Sequence, residues 1–162
     1  MLTAVQVGKY FMEKDIECKV FTRRKMTIND SEQYEGNIRL NEYLHFAQIL
    51  YLAYYSKPLF MEDLYAAKEN VIVMNVYEMY TGIKFEKSAG FFDLNKQKKH
   101  FLDCIYNYFE PKTLDEILEL SHRDIEWREK SVMLTRFRPM NPVIAMADYR
   151  QTYVDVIREL HI

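Results

Sequence analysis

The run Arg39-Leu-Asn-Glu-Tyr-Leu-His-Phe-Ala-Gln-Ile-Leu-Tyr-Leu-Ala-Tyr-Tyr55, followed by Ser56-Lys57-Pro58, constrains this chain more than any other stretch. Leu40, Tyr43, Leu44, Ala47, Tyr51 and Tyr54 recur at the spacing of one helical face, and Phe46, Ile49, Leu50 and Ala53 fill its flanks. A helix that is apolar nearly all round belongs in the middle of a domain, with other helices covering it on several sides. It makes a poor membrane span, because its roughly 17 residues include Arg39, Glu42, His45 and Gln48. Pro58 ends it, since the residue before a proline is pushed out of the helical region. Leu59 and Phe60 are then expected to fold back onto the helix. The polar stripe Asn41, His45 and Gln48 reads as a buried hydrogen-bonded network rather than a ligand set.

The flanking segments supply the cover. Leu2, Val5, Tyr10 and Phe11 predict a first helix of about a dozen residues. Residues 18–38 read as a loop or insert, with a short strand over Lys19-Val-Phe-Thr22, a solvated basic corner at Arg23-Arg24-Lys25 and a polar loop from Thr27 to Gly36. Val71-Ile-Val73 reads as extended, with Ile83-Lys-Phe85 or Gly90-Phe-Phe92 as its partner in a small β-hairpin. Val76, Tyr77 and Tyr80 resume helical spacing up to Thr81-Gly82, where glycine can take a left-handed cap. Phe101, Leu102, Ile105 and Tyr108 face inward on a helix over 94–109. Thr113-Leu-Asp-Glu116 spells a capping box ahead of Leu114, Ile117 and Leu118, and Asp124 can cap a short helix carrying Trp127. Asn141-Pro142 opens a last helix that buries Tyr149, Tyr153, Val156, Ile157 and Leu160. The expected fold is mainly α, one compact domain over residues 1–162 built around the central helix.

At 162 residues the chain can bury a core without metals or disulfides. A net charge of −2 and a pI near 6.1 argue against a dedicated nucleic-acid binder. Cys18 and Cys104 cannot form a disulfide framework, and Met1–Lys9 lacks a charged leader and a long apolar run, so a cytoplasmic protein is expected. Aromatic residues make up 15% of the chain, alongside 9 Met; beyond an aromatic core, that mixture suits a partner surface. Catalytic readings are thin. Cys104 lies four residues after His100, but it follows the apolar phase of its helix and no third group orients the pair. His122-Arg-Asp124 spells part of a kinase catalytic loop without its asparagine. Four His and two Cys show no metal-ligand spacing, and four Gly make no phosphate loop, so neither metal nor cofactor is expected. A small hydrolase using His122, Asp124 or Cys104 remains the enzymatic alternative.

Three stretches carry a family resemblance. Leu40 to Gln48 with Tyr51-Leu-Ala53 and Lys57-Pro-Leu-Phe60, then Ala66 to Tyr77, then Leu120-Ser-His-Arg-Asp-Ile-Glu-Trp127 resemble, in order, the signature blocks of the Panacea-domain proteins, a phage-associated and antitoxin family. The structural motif residues are then Leu40, Tyr43, His45, Gln48, Pro58, His122 and Trp127. Departures are specific: Ala67 stands where the family usually has tryptophan, Asn70-Val71 for Gly-Pro, Ser121 for threonine and Glu126 for proline. They mark a divergent member, in which the fold carries over more directly than the partner. The resemblance implies a mainly helical, non-catalytic protein-binding module that neutralises a toxin directly or, in one described type, delivers it to a AAA+ protease. Alternatives of the same kind are an inhibitor of host defence encoded by a phage or mobile element, and a protease adaptor. The contact surface is expected at Ala67, Asn70, Val71, Met74 and Asn75, together with Arg136 and Arg138 of the cation-rich loop 133–140.

Overall fold

The computed structural model describes residues 1–82, 94–132 and 136–162. Its centre is helix α2, Glu35–Tyr55, in which 18 of 21 residues are buried. To reach it the chain first forms α1 (Ala4–Lys14) and a hairpin of β1 (Lys25–Ile28) and β2 (Ser31–Tyr34). After α2 come β3 (Tyr65–Ala66), β4 (Val71–Ile72), α3 (Met74–Met79) and a 3-10 turn over Tyr80–Gly82. Helices α4 (Lys96–Phe109), α5 (Leu114–Ser121) and α6 (Ile125–Lys130) follow, then β5 (Arg138–Pro139), α7 (Met146–Thr152) and α8 (Val154–Leu160). The fold is mainly α, with two small antiparallel sheets ordered β1-β2 and β4-β3-β5.

Helix α2 touches α1, α3, α4, α5 and α7 as well as β2 and β4, which is why its sequence is apolar on every side. Tyr43 meets the rings of Phe11, Phe21, Tyr106 and Phe109, and Phe46 stacks on Phe109 at 4.5 Å between centroids. The hydroxyls of Tyr43 and Tyr51 are buried and find no hydrogen-bond partner among the described residues. Tyr54 departs from the expected inward face and is about half exposed, its hydroxyl donating to the Ile162 carbonyl. Ser56 closes the helix in the left-handed conformation (φ 60°), and its N–H donates to the Leu52 carbonyl. Leu59 and Phe60 fold back as expected, both fully buried.

Helix α2 also begins a turn earlier than the apolar pattern. Its first residues are polar or small, and they are buried by partners distant in sequence. Glu35 receives Arg24 at 2.9 Å, and Asn37 donates to the Tyr77 carbonyl at 3.1 Å. Gly36 lies so close to its neighbours that an added Cβ would fall 2.1 Å from Tyr80 Oη and 2.4 Å from the Thr22 carbonyl oxygen.

Several local expectations change. Residues 19–22 are not a strand: Asp15, itself buried, accepts from the backbone N–H groups of Lys19, Val20 and Phe21 and coils that segment around its carboxylate. The polar stretch from Thr27 holds the end of the first strand, the turn and the second strand of a hairpin rather than a loop. Asn29 and Asp30 both take positive φ (53° and 60°), the two-residue turn that matches strand twist, and Ile28 and Met26 point down onto Ile38, Leu114 and Leu118. Val71–Ile72 is extended, but its partner is Tyr65–Ala66; the expected partners at 83–85 and 90–92 lie outside the described residues. The stop expected at Thr81-Gly82 falls in the 3-10 turn Tyr80–Gly82, at the edge of the described residues.

Helix α4 is capped by Asn95 and buries Tyr106 and Phe109 in addition to Phe101, Leu102 and Ile105, leaving Tyr108 half-buried. Thr113 caps α5 by accepting from the Glu116 N–H, and it donates to the Glu116 carboxylate instead of completing a reciprocal box. Asn141-Pro142 leads into a turn, so α7 starts only at Met146, and Tyr153 (φ −111°, ψ 23°) separates it from α8. No described helix is long and apolar enough to cross a membrane.

Candidate functional site

The polar stripe of α2 is shut inside the protein. Glu42 lies one turn before His45 on the same face, and both are 0% exposed. His45 Nε2 lies 2.7 Å from Asp124 Oδ2, and Nδ1 lies 3.3 Å from Glu42 Oε2 and 3.2 Å from Ser121 Oγ. Burial alone would lower the His45 pKa, but the hydrogen bonds to Asp124 and Glu42 outweigh it and push it up to about 9. The ring is therefore an imidazolium at neutral pH, held between two carboxylates.

Each carboxylate is bonded further. Asp124 Oδ1 accepts from Tyr149 Oη at 2.9 Å and from the Glu126 N–H at 2.9 Å, capping α6 as its sequence predicts. Glu42 Oε1 accepts from the Val71 N–H at 2.8 Å. Asn41 Oδ1 accepts from the Val73 N–H at 2.8 Å, while its Nδ2 donates to the Asn37 carbonyl. Gln48 accepts from the Leu59 and Phe60 N–H groups and donates to the Phe60 carbonyl at 2.7 Å. Its amide thus satisfies the turn at half-buried Pro58, next to the parallel bridge between Phe60 and Leu2. Sequence reasoning identifies Asn41, His45 and Gln48 as this network. It misses Glu42, three residues before His45 and legible as a helical neighbour, and it misses Ser121, Asp124 and Tyr149, which have no local signal.

A second constellation lies above the network. The turn at residues 67–70 is gripped from two sides. Trp127 Nε1 donates to the Ala67 carbonyl at 3.0 Å, His122 Nε2 donates to the Glu69 carbonyl at 2.7 Å, and the two rings stack at 4.1 Å, 8° from parallel. From the hairpin tip, Asn29 donates to Asn70 Oδ1 at 2.7 Å and accepts from the Glu69 N–H at 2.7 Å, while Lys68 reaches Asp30 at 3.2 Å. The structural-motif residues His122 and Trp127 thus hold a turn, and Leu40 and Tyr43 are 0% exposed in the core.

This arrangement corrects part of the expected contact surface. Ala67, Asn70 and Val71 are 0%, 1% and 0% exposed, because their backbone is pinned by Trp127, by β3 and by Glu42; a partner cannot touch them in this fold. Met74 and Asn75 are half-buried and line a recess of about 240 Å³ with Glu62, Asp63, Tyr65 and Val73, while Arg136 and Arg138 are exposed. Residues 133–135 of the cation-rich loop lie outside the described residues.

The hydrolase candidates are scattered. Asp124 is 0% exposed and fully engaged, and His122 is committed to the Glu69 carbonyl and the Trp127 face. Cys104 Sγ lies 3.6 Å from His100 Nε2, but burial and then the neighbouring Asp103 carboxylate push the thiol up, opposite to what a nucleophilic thiolate requires. Among the described residues no group of three or more His, Cys, Asp and Glu side chains is arranged to hold a metal ion. No protein-family model, curated protein or solved structure matches the chain.

Proposed function

We propose that the chain is a non-catalytic protein-binding module, antitoxin-like, which neutralises a partner protein by direct contact. The observation that supports this reading is the fate of the reactive groups: His45, Glu42, Asp124 and Ser121 are all buried and bonded to one another or to backbone. A constellation closed in this way stiffens a scaffold and leaves recognition to the surface. The motif resemblance supplies the antitoxin class. Affinity would come from a few exposed anchors, with charge at the rim setting specificity. Of the expected contact set, Met74, Asn75, Arg136 and Arg138 remain accessible.

The test is capture of tagged protein from its native host followed by mass spectrometry, with growth assays of the captured partner expressed alone and together with this chain. A partner that is toxic alone and harmless in co-expression supports the antitoxin reading. A host-defence protein or a protease in its place would move the chain to the corresponding alternative. Recovery of no stoichiometric protein partner, together with measurable hydrolysis lost on His122→Ala or Cys104→Ser substitution, overturns the reading.

A further inference from the structure

The β1–β2 hairpin is attached to the body of the protein in three different ways at its base, its middle and its tip. At the base the Glu35 and Gly36 N–H groups donate to the Arg24 and Thr22 carbonyls, both at 2.8 Å, and Tyr34 packs on the main core beside Tyr80. In the middle, Ile28 is the one buried side chain in residues 25–34. With Met26 it meets Ile38, Leu114 and Leu118 in a small apolar cluster separate from the main core. A two-stranded hairpin is marginal in water by itself, so these two apolar side chains and the tip must hold it down.

The tip is held by polar groups. Asn29 Nδ2 donates to Asn70 Oδ1 and Asn29 Oδ1 accepts from the Glu69 N–H, both at 2.7 Å, while the Asn29 N–H donates to the Glu69 carboxylate. The ion pair of Lys68 with Asp30 beside them is exposed and adds little. The receiving turn is fixed from behind by His122 and Trp127, so the tip bears on a rigid partner. Recesses run along both strands. One of about 370 Å³ follows residues 32–34 to Asn37 and Tyr77, and one of about 550 Å³ follows residues 24–26 to Arg39 and Leu114. The hairpin therefore meets the body only along the narrow strip of Met26 and Ile28 and at the tip.

We propose that residues 25–33 form a hinged lid, latched at Asn29 to the 67–70 turn, which opens as a unit while the main core stays closed. The hinges are residues 24–25 and 33–34. Opening breaks the three bonds of Asn29 and bares Ile38 on α2 and Leu114 on α5, whereas Tyr34, Glu35 and the helix behind them keep their places. Segments joined to the body by so few apolar contacts open at a free energy below that of global unfolding. The lid concerns the motion of this chain and holds with or without a partner protein.

Native-state amide hydrogen exchange on the intact chain tests the lid, with two variants that act on different openings. Glycine takes a positive φ freely, so Asn29→Gly keeps the turn and removes the side-chain bonds of the latch. Ile105→Val weakens the main core, to which the open and closed lid are equally attached. In the parent, the hydrogen-bonded amides of residues 26–33 should share one exchange rate, faster than that of residues 43–52 in α2. That rate should hardly respond to low urea, because little surface is bared. Asn29→Gly should raise it about tenfold. Ile105→Val should speed the α2 amides by about tenfold or less and leave the lid amides unchanged. Uncovering is read separately by an Ile38→Cys thiol in a Cys18→Ser/Cys104→Ser chain, whose labelling should quicken about tenfold when Asn29→Gly is added. Exchange of both sets of amides at one rate, acceleration of the lid amides by Ile105→Val, or indifference of either lid readout to Asn29→Gly overturns the proposal.

Discussion

Replacing His45 with glutamine tests the buried charge cluster most directly. In the parent the imidazolium lies 2.7 Å from Asp124 and 3.3 Å from Glu42, with all three side chains sealed from solvent. Glutamine is close in length but carries no charge, so two carboxylates would remain in the core with nothing to neutralise them. Removing one partner of a buried ion pair costs about 3–5 kcal/mol. That is a large part of the roughly 5–15 kcal/mol that holds an ordinary domain together. For a chain of this size it corresponds to a fall in Tm on the order of 10 °C. Urea unfolding followed through Trp127, the single tryptophan, measures the loss, and an unchanged m-value shows that the folded state is otherwise intact. Adding Glu42→Gln to His45→Gln should recover part of the loss, since of the two carboxylates that faced the ring only Asp124 then remains. A loss below about 1 kcal/mol, or strict additivity of the two substitutions, would refute the assignment of an imidazolium hub.

The buried side chains around α2 set four further outcomes. The folded-state pKa of His45 is raised from 6.5 to about 9, so its stabilisation is complete below pH 6.5 and is lost as the pH rises through about 9. Stability curves between pH 6 and 10 should show that decline in the parent and not in His45→Gln. Gln48→Ala removes the partners of three buried backbone groups and should cost roughly 2–3 kcal/mol in chemical denaturation. Gly36→Ala forces a Cβ against Tyr80 and the backbone of residues 21 and 22, and should lower stability by about 1–3 kcal/mol or more, read by thermal melting. Tyr43→Phe has the opposite sign: it deletes a buried hydroxyl that finds no hydrogen-bond partner among the described residues, so Tm should stay level or rise.

Helix α2 is legible in the sequence because its apolar periodicity and its Ser56-Lys-Pro58 stop are local properties. Its first turn is not, because Glu35, Gly36 and Asn37 are buried through Arg24, Tyr80 and Tyr77, whose approach no pattern within the helix encodes. The hairpin escapes for a related reason. Lys25–Tyr34 is mostly polar, so the alternation that marks a strand is reduced to Met26 and Ile28, and Asn29-Asp30 lacks the glycine that usually announces such a turn. The block at residues 66–77 reads as a divergent surface, whereas its backbone is drawn inward by Glu42, Asn41 and Trp127. Of the buried network, the members on α2 share a face and could be read together. Asp124 advertises only its cap, and its bond to His45 spans 79 residues.

That span has a bearing on the order in which the chain acquires its structure. Ser121 follows His45 by 76 residues and Asp124 follows it by 79, and Tyr149 joins later still. Until those residues reach α2, an imidazole and a carboxylate on a mostly apolar helix have water as their best partner, which opposes premature collapse around it. Contacts of such long loop length form late and slow a chain down. On a ribosome, α2 would wait for the chain through Tyr149 before its middle turns could dehydrate, and a product stalled or truncated before that point would leave the helix exposed to quality control.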